Sequence, residues 1–169
     1  MNRALAKKIN QMAKKDQEMR KSFEKDGALR DRAIDRKNTR ELKKIIKKYG
    51  WPTIPLVGRK ASFNAWLLAQ HADHDGKFQE SARKILIAID GKQRGAINRA
   101  HIAYLTDRLL VAKKRPQIFG TQFYFDGHRK LKLNLLKSKR GINKLRKEYN
   151  LPALERFLEG AREYNAKKK

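Results

Sequence analysis

Cysteine is absent from the 169 residues. That excludes a disulfide framework, a thiolate nucleophile and a Cys-ligated zinc. It also fits a reducing cytoplasm, which is the expected location. Long apolar runs are missing too. The longest uncharged stretch, Ala61 to Ala72, is 12 residues, whereas a membrane span needs about 20. The opening Met1-Asn2-Arg3-Ala4-Leu5-Ala6-Lys7-Lys8 has no apolar h-region and does not read as a secretory signal. Asp16, Glu18 and Glu24 count against an acid-poor mitochondrial presequence. The chain has no P-loop, no G-x-S-x-G elbow, no H-E-x-x-H helix and no dinucleotide-binding G-x-G-x-x-G. Zinc-finger spacing, bZIP heptads and an RNP aromatic motif are likewise absent. No cofactor or metal is expected.

Acidic residues are scarce: 17 Asp and Glu face 43 Lys and Arg, a formal net charge of +26. The excess is uneven. Residues 1–50 carry net +10, residues 51–112 net +4 and residues 113–169 net +12. Such a chain repels itself and favours phosphate polymers through counterion release. Length suits one domain, residues 1–169, with a core of ordinary size. Basic N- and C-terminal flanks then surround a polar centre.

The periodicity is mostly helical. Leu5, Ile9, Met12, Met19 and Phe23 mark one face of a long first helix, stopped at Asp26-Gly27. Leu42, Ile45, Ile46 and Tyr49 mark a second, with Asn38-Thr39 as cap candidates and Gly50 at its C′ position. Trp51-Pro52-Thr53-Ile54-Pro55 reads as an extended linker. Ser62 is the expected cap of a third helix carrying Phe63, Trp66, Leu67 and His71, broken or bent at Gly76. Phe78, Ala82, Ile85 and Ile89 predict a fourth helix, and Ile97, His101, Tyr104 and Arg108 a fifth. Phe119, Phe123 and Phe125, then Leu131, Leu133 and Leu135, alternate as strands do. Asp126-Gly127 between them signals a type I′ hairpin turn. Helices return around Ile142, Leu145 and Tyr149 and, after Pro152, around Leu154, Phe157 and Leu158. The fold class predicted is mainly α, with one small β-hairpin near residues 119–135.

Several motifs give the chain a family likeness. They are Tyr49-Gly50-Trp51-Pro52, Gln70-His71-Ala72-Asp73, Ala103-Tyr104-Leu105-Thr106-Asp107-Arg108 and Gly120-Thr121-Gln122. Asp16-Gln17 with Arg20, Asp35 to Thr39, and Asn150 to Leu154 add to it. With these the chain resembles a bacterial family of small uncharacterised proteins built on a domain of unknown function. The resemblance implies relatedness and no particular activity.

Two functional readings stand. The first is a sequence-tolerant module for nucleic acid or another polyanion. Lys43, Lys44, Lys47 and Lys48 lie away from the apolar stripe of the second helix. Lys137, Lys139, Arg140, Lys144, Arg146 and Lys147 form a second basic patch. Phosphate contact needs only such surfaces. The alternative is a small enzyme, a hydrolase or transferase acting on an anionic substrate. Its catalytic pair is His71 and Asp107, with Arg108, Gln117, Thr121 and Gln122 as ligand-binding residues. Histidine is the natural proton carrier near neutral pH, and a carboxylate can orient it. On one helix, His71 and Asp75 of H-x-x-H-D would be neighbours. An HD-type phosphohydrolase also needs a histidine upstream, and none precedes His71.

Overall fold

The computed structural model describes residues 1–26 and 32–167. Asp26-Gly27 as a stop signal lies partly outside them. The chain forms two compact units, Met1–Ile97 and Asn98–Lys169.

The first unit holds four helices: α1 (Arg3–Asp26), α2 (Arg32–Tyr49), α3 (Ile54–Gln70) and α4 (Gly76–Lys92). Asn2 caps α1, its side chain accepting from Leu5 N–H at 3.0 Å. Helices α1, α2 and α3 pack on one another, and α4 packs on α3. Leu5, Ile9 and Ala13 of α1, Leu42 and Ile45 of α2, and Val57, Ala61, Ala65, Leu68 and Ala69 of α3 are buried. The stripe at 61, 65 and 69 is alanine throughout, which lets a neighbouring helix come close.

Three local expectations change here. Helix α2 begins six residues before Asn38, and both cap candidates are buried in its interior. Thr39 donates its hydroxyl to the Asp35 carbonyl one turn back, at 2.8 Å. A threonine side chain can satisfy a helical carbonyl as readily as it caps. Helix α3 starts at Ile54, not at Ser62, with proline in its first turn where a missing N–H costs nothing. The price of this early start is a kink at Gly58, whose φ of 81° only glycine takes easily. Ser62 is buried inside the helix, while Phe63, expected on the apolar face, is 46% exposed. Finally, α3 ends at Gln70 with His71 as its C-cap, and Asp75 caps α4 by accepting from Phe78 N–H at 3.0 Å. His71 and Asp75 therefore share no helix, and the i,i+4 reading of H-x-x-H-D falls.

The second unit contains α5 (Ala100–Ala112), strands β1 (Phe123–Phe125) and β2 (Leu131–Leu133), α6 (Ile142–Glu148) and α7 (Leu154–Ala166). Ala100, Ala103, Phe119 and Leu151 form its buried centre, with Tyr104, Ile118, Leu145 and Tyr149 packed around it. The strands pair antiparallel, Phe123 with Leu133 and Phe125 with Leu131. The hairpin is as predicted, but its turn is not type I′. Five residues, 126–130, join the strands, and the left-handed position falls on Arg129 (φ 58°) rather than on Gly127. Arg129 N–H bonds the Asp126 carbonyl at 2.8 Å. The Asp126 carboxylate accepts from His128 N–H and Lys130 N–H. An aspartate that binds backbone two and four residues on fixes this longer turn with no glycine at its left-handed position.

Among the described residues no helix is long and apolar enough to cross a membrane.

Candidate functional site

A polar cluster in the first unit joins three helices. Asp16 of α1 is fully buried. Its Oδ2 takes hydrogen bonds from Gln17 Nε2 at 2.8 Å and Arg20 Nε at 3.2 Å, and pairs with His71 Nδ1 at 2.9 Å. Arg20 Nη2 reaches Asp16 Oδ1 at 3.2 Å and crosses to Asp35 Oδ1 of α2 at 2.8 Å. Burial alone would raise the Asp16 carboxyl. The hydrogen bond and charge of His71, then those of Arg20, outweigh it and hold the group at about 2. A buried carboxylate is tolerable only when paired in this way. The His71 side chain keeps 15% of its surface and that of Arg20 keeps 20%. A histidine held by a buried carboxylate is the arrangement of a positioned general base. Arg20 ties the same carboxylate to α2, so the cluster also fixes the three helices together. Among the described residues, no group of three or more His, Cys, Asp and Glu side chains stands ready for a metal.

The expected partner of His71 was Asp107; the structure gives it Asp16 instead. Asp107 is fully buried in the second unit and takes four donors. These are the N–H groups of Ile118, Phe119 and Thr121 at 2.7 to 3.2 Å, and the Thr121 hydroxyl at 2.9 Å. The residue therefore pins the 118–121 loop to α5. Gln117 is also fully buried. Its Nε2 donates to the carbonyls of Gln122 and Asn134, and its Oε1 accepts from Gln122 N–H. Gln122 Nε2 donates to Thr121 Oγ1 at 3.1 Å. Asp107, Gln117, Thr121 and Gln122 are thus brought together, each engaged with backbone or with a neighbour. Arg108 is half-buried on α5. The sequence pointed to polar residues that do cluster, but the bonds they make are those that hold a loop.

Arg146 departs furthest from expectation. Placed in the second basic patch by sequence, it is completely buried. Its Nε donates to the Pro152 carbonyl at 2.7 Å, and Nη1 donates to the carbonyls of Phe119 and Gly120. Burial lowers its pKa, opposed by Tyr104, Asp107 and Glu155. The guanidinium carbon sits 5.0 Å from the Phe157 ring centre. It offers a phosphate no surface. Lys137, Lys139, Arg140, Lys144 and Lys147 remain exposed.

On α2 the basic face is as predicted and longer. Arg36, Arg40, Lys43, Lys44 and Lys47 are all exposed. At 100° per residue they fall within about a quarter of the helix circumference, over roughly 16 Å of axis. Lys48 lies beside them, its Nζ 5.2 Å from the Tyr49 ring centre. Lys43 is paired with Asp75 at 2.6 Å and Lys44 with Glu41 at 2.9 Å. Glu41 is held at about 2 by Lys44 and Lys8. Sequence reasoning had no means of finding the Asp16–Arg20–Asp35–His71 cluster. Its members are separated by up to 55 positions, and only their appearance among the family motifs hinted at them.

These features define a mainly α protein with a small hairpin, networks of buried polar groups and strongly cationic helix faces. The chain belongs to a family of unknown function, DUF6624, whose profile matches residues 5–168. No curated protein and no solved structure matches it.

Proposed function

We propose that the protein is a sequence-tolerant nucleic-acid-binding module. The observation that carries this reading is the α2 stripe of Arg36, Arg40, Lys43, Lys44 and Lys47, exposed along one face. Such a row meets successive backbone phosphates without reading bases. Lys47 and Lys48 have no acidic partner among the described residues. Binding to RNA or DNA should weaken steeply as salt rises, because each neutralised phosphate releases counterions. Neutralising Lys43, Lys44, Lys47 and Lys48 together should weaken binding and flatten the log–log salt slope by about 2 to 4. Fluorescence anisotropy with labelled oligonucleotides at 50 to 300 mM KCl provides the test. An affinity that ignores salt, or is unchanged in the quadruple variant, would refute the reading.

A further inference from the structure

We infer that the His71–Asp16 pair is the general base of an RNA-cleaving site, with Arg20 as its phosphate-binding cation. This activity rests on the nucleic-acid binding proposed above and names RNA as the strand acted on. His71 Nδ1 faces Asp16 Oδ2 at 2.9 Å, so in a neutral imidazole the lone pair stands on Nε2. Among the described residues nothing bonds Nε2, and it is not sealed from solvent. Arg20 bonds Asp16 and Asp35 through Nε and Nη2. Its Nη1 carries two further N–H groups, likewise unbonded among the described residues and not sealed. A base and a cation are therefore left to a ligand by two side chains anchored on one buried carboxylate.

The site borders the basic face of α2 at two points. Arg20 crosses to Asp35, the residue before Arg36. Lys43 of the same face is paired at 2.6 Å with Asp75, four residues after His71. Arg36 and Arg40, both exposed, lie between these ties. A phosphate chain lying along α2 would run beside the segment that carries His71. Among the described residues no serine, threonine or lysine side chain bonds His71, so the nucleophile has to come with the substrate. RNA brings one, the 2′-hydroxyl beside each phosphodiester. His71 Nε2 takes the proton of that hydroxyl. The 2′-oxygen bonds the adjacent phosphorus as the bond from phosphorus to the 5′-oxygen breaks. The 5′-oxygen leaves with that electron pair and takes a proton from water, and the hydroxide so formed recovers the proton from His71. The products are a 2′,3′-cyclic phosphate and a 5′-hydroxyl. Asp16 stabilises the imidazolium in between, and Arg20 Nη1 meets the charge gathering on the phosphate oxygens.

The test uses the full chain with a labelled 12-nucleotide RNA and the DNA strand of the same sequence. Cleavage is followed on denaturing gels, product ends by mass spectrometry and binding by anisotropy. The parent should cut the RNA to 2′,3′-cyclic phosphate ends and leave the DNA whole. His71→Gln, purified alongside and established as folded by circular dichroism, should cut it at least about a hundredfold more slowly. DNA cut as fast as RNA would overturn the 2′-hydroxyl as nucleophile, and this arm needs no variant to fold. Equal cleavage by parent and His71→Gln would overturn the role of the histidine. A parent that binds RNA and leaves it uncut would overturn the activity while the α2 reading stands. A parent that binds neither strand would overturn both.

Discussion

Asp16→Asn separates the charge of the buried carboxylate from its shape. The parent carboxyl sits at about 2 in the folded protein, against an ordinary value of 3.8. A depressed carboxylate stabilises the fold above its unfolded pKa and loses that contribution as pH falls through its folded one. The lowered pKa corresponds to about 2 kcal/mol, present in full above about pH 5 and lost progressively down to about pH 1. Because Asp16 is fully buried, solvent does little to screen it. Asparagine keeps one acceptor oxygen but leaves His71 and Arg20 without their shared counter-charge. Arg20 retains Asp35 at 2.8 Å, so the loss is partial. We expect the variant to be about 3 kcal/mol less stable at pH 6, and the gap to narrow by about 2 kcal/mol by pH 2. Urea unfolding followed by far-UV circular dichroism at pH 6, 4, 3 and 2 measures it. Parent and variant curves that run parallel across that window would refute the assignment of Asp16 as a charged, paired group.

Three further predictions concern the second unit. Asp107→Ala removes an acceptor of the Ile118, Phe119 and Thr121 N–H groups, and a buried donor left unpaired costs about 1 to 3 kcal/mol; a loss below about 1 kcal/mol in urea unfolding would show that the loop does not depend on it. Gly120→Ala should lower stability by about 1 to 3 kcal/mol, since φ is 69° and a Cβ there would come within 2.9 Å of Leu154 Cδ1. Gly127→Ala meets open space at an ordinary φ and should stay within about 0.5 kcal/mol; thermal unfolding of the two variants side by side checks both.

Patterns confined to neighbouring residues were legible in the sequence. The alternation of Phe123 and Phe125 with Leu131 and Leu133 gave the hairpin, because strand pairing across a short turn is a local event. The stripes of α1, α2, α4 and α5 were visible for the same reason. Starts and stops were less so. Asn38, Thr39 and Ser62 are cap-forming types, and their side chains serve equally well buried inside a helix. The Asp126-Gly127 pair carries the signature of a two-residue turn, but the hydrogen bonds of Asp126 favour a longer one. Asp107 and Gln117 stood out in the sequence as a catalytic and a ligand-binding candidate, and in the fold their side chains hold backbone groups of the loop and hairpin. Which groups they bind depends on how the loop at 118–121 folds back, and spacing does not encode that. The partnership of Asp16 with His71 depends on helix packing, and so does the burial of Arg146 among lysines it resembles in charge.

Burial in this protein falls mainly on the negative side chains. Asp16, Asp35 and Asp107 are withdrawn from solvent, whereas Arg146 is the one buried cation among the described residues. In the unfolded chain those carboxylates are interspersed with lysines and partly neutralise them. Folding therefore sorts the charge and raises the net positive potential presented outward. Any polyanion that meets the chain should then prefer its folded form, and by mass action would stabilise it, by about 2.7 kcal/mol at a free concentration one hundred times its Kd. Self-repulsion among the surface cations works against the fold when the protein is alone. A bound phosphate polymer would relieve it, so that occupancy and foldedness rise together.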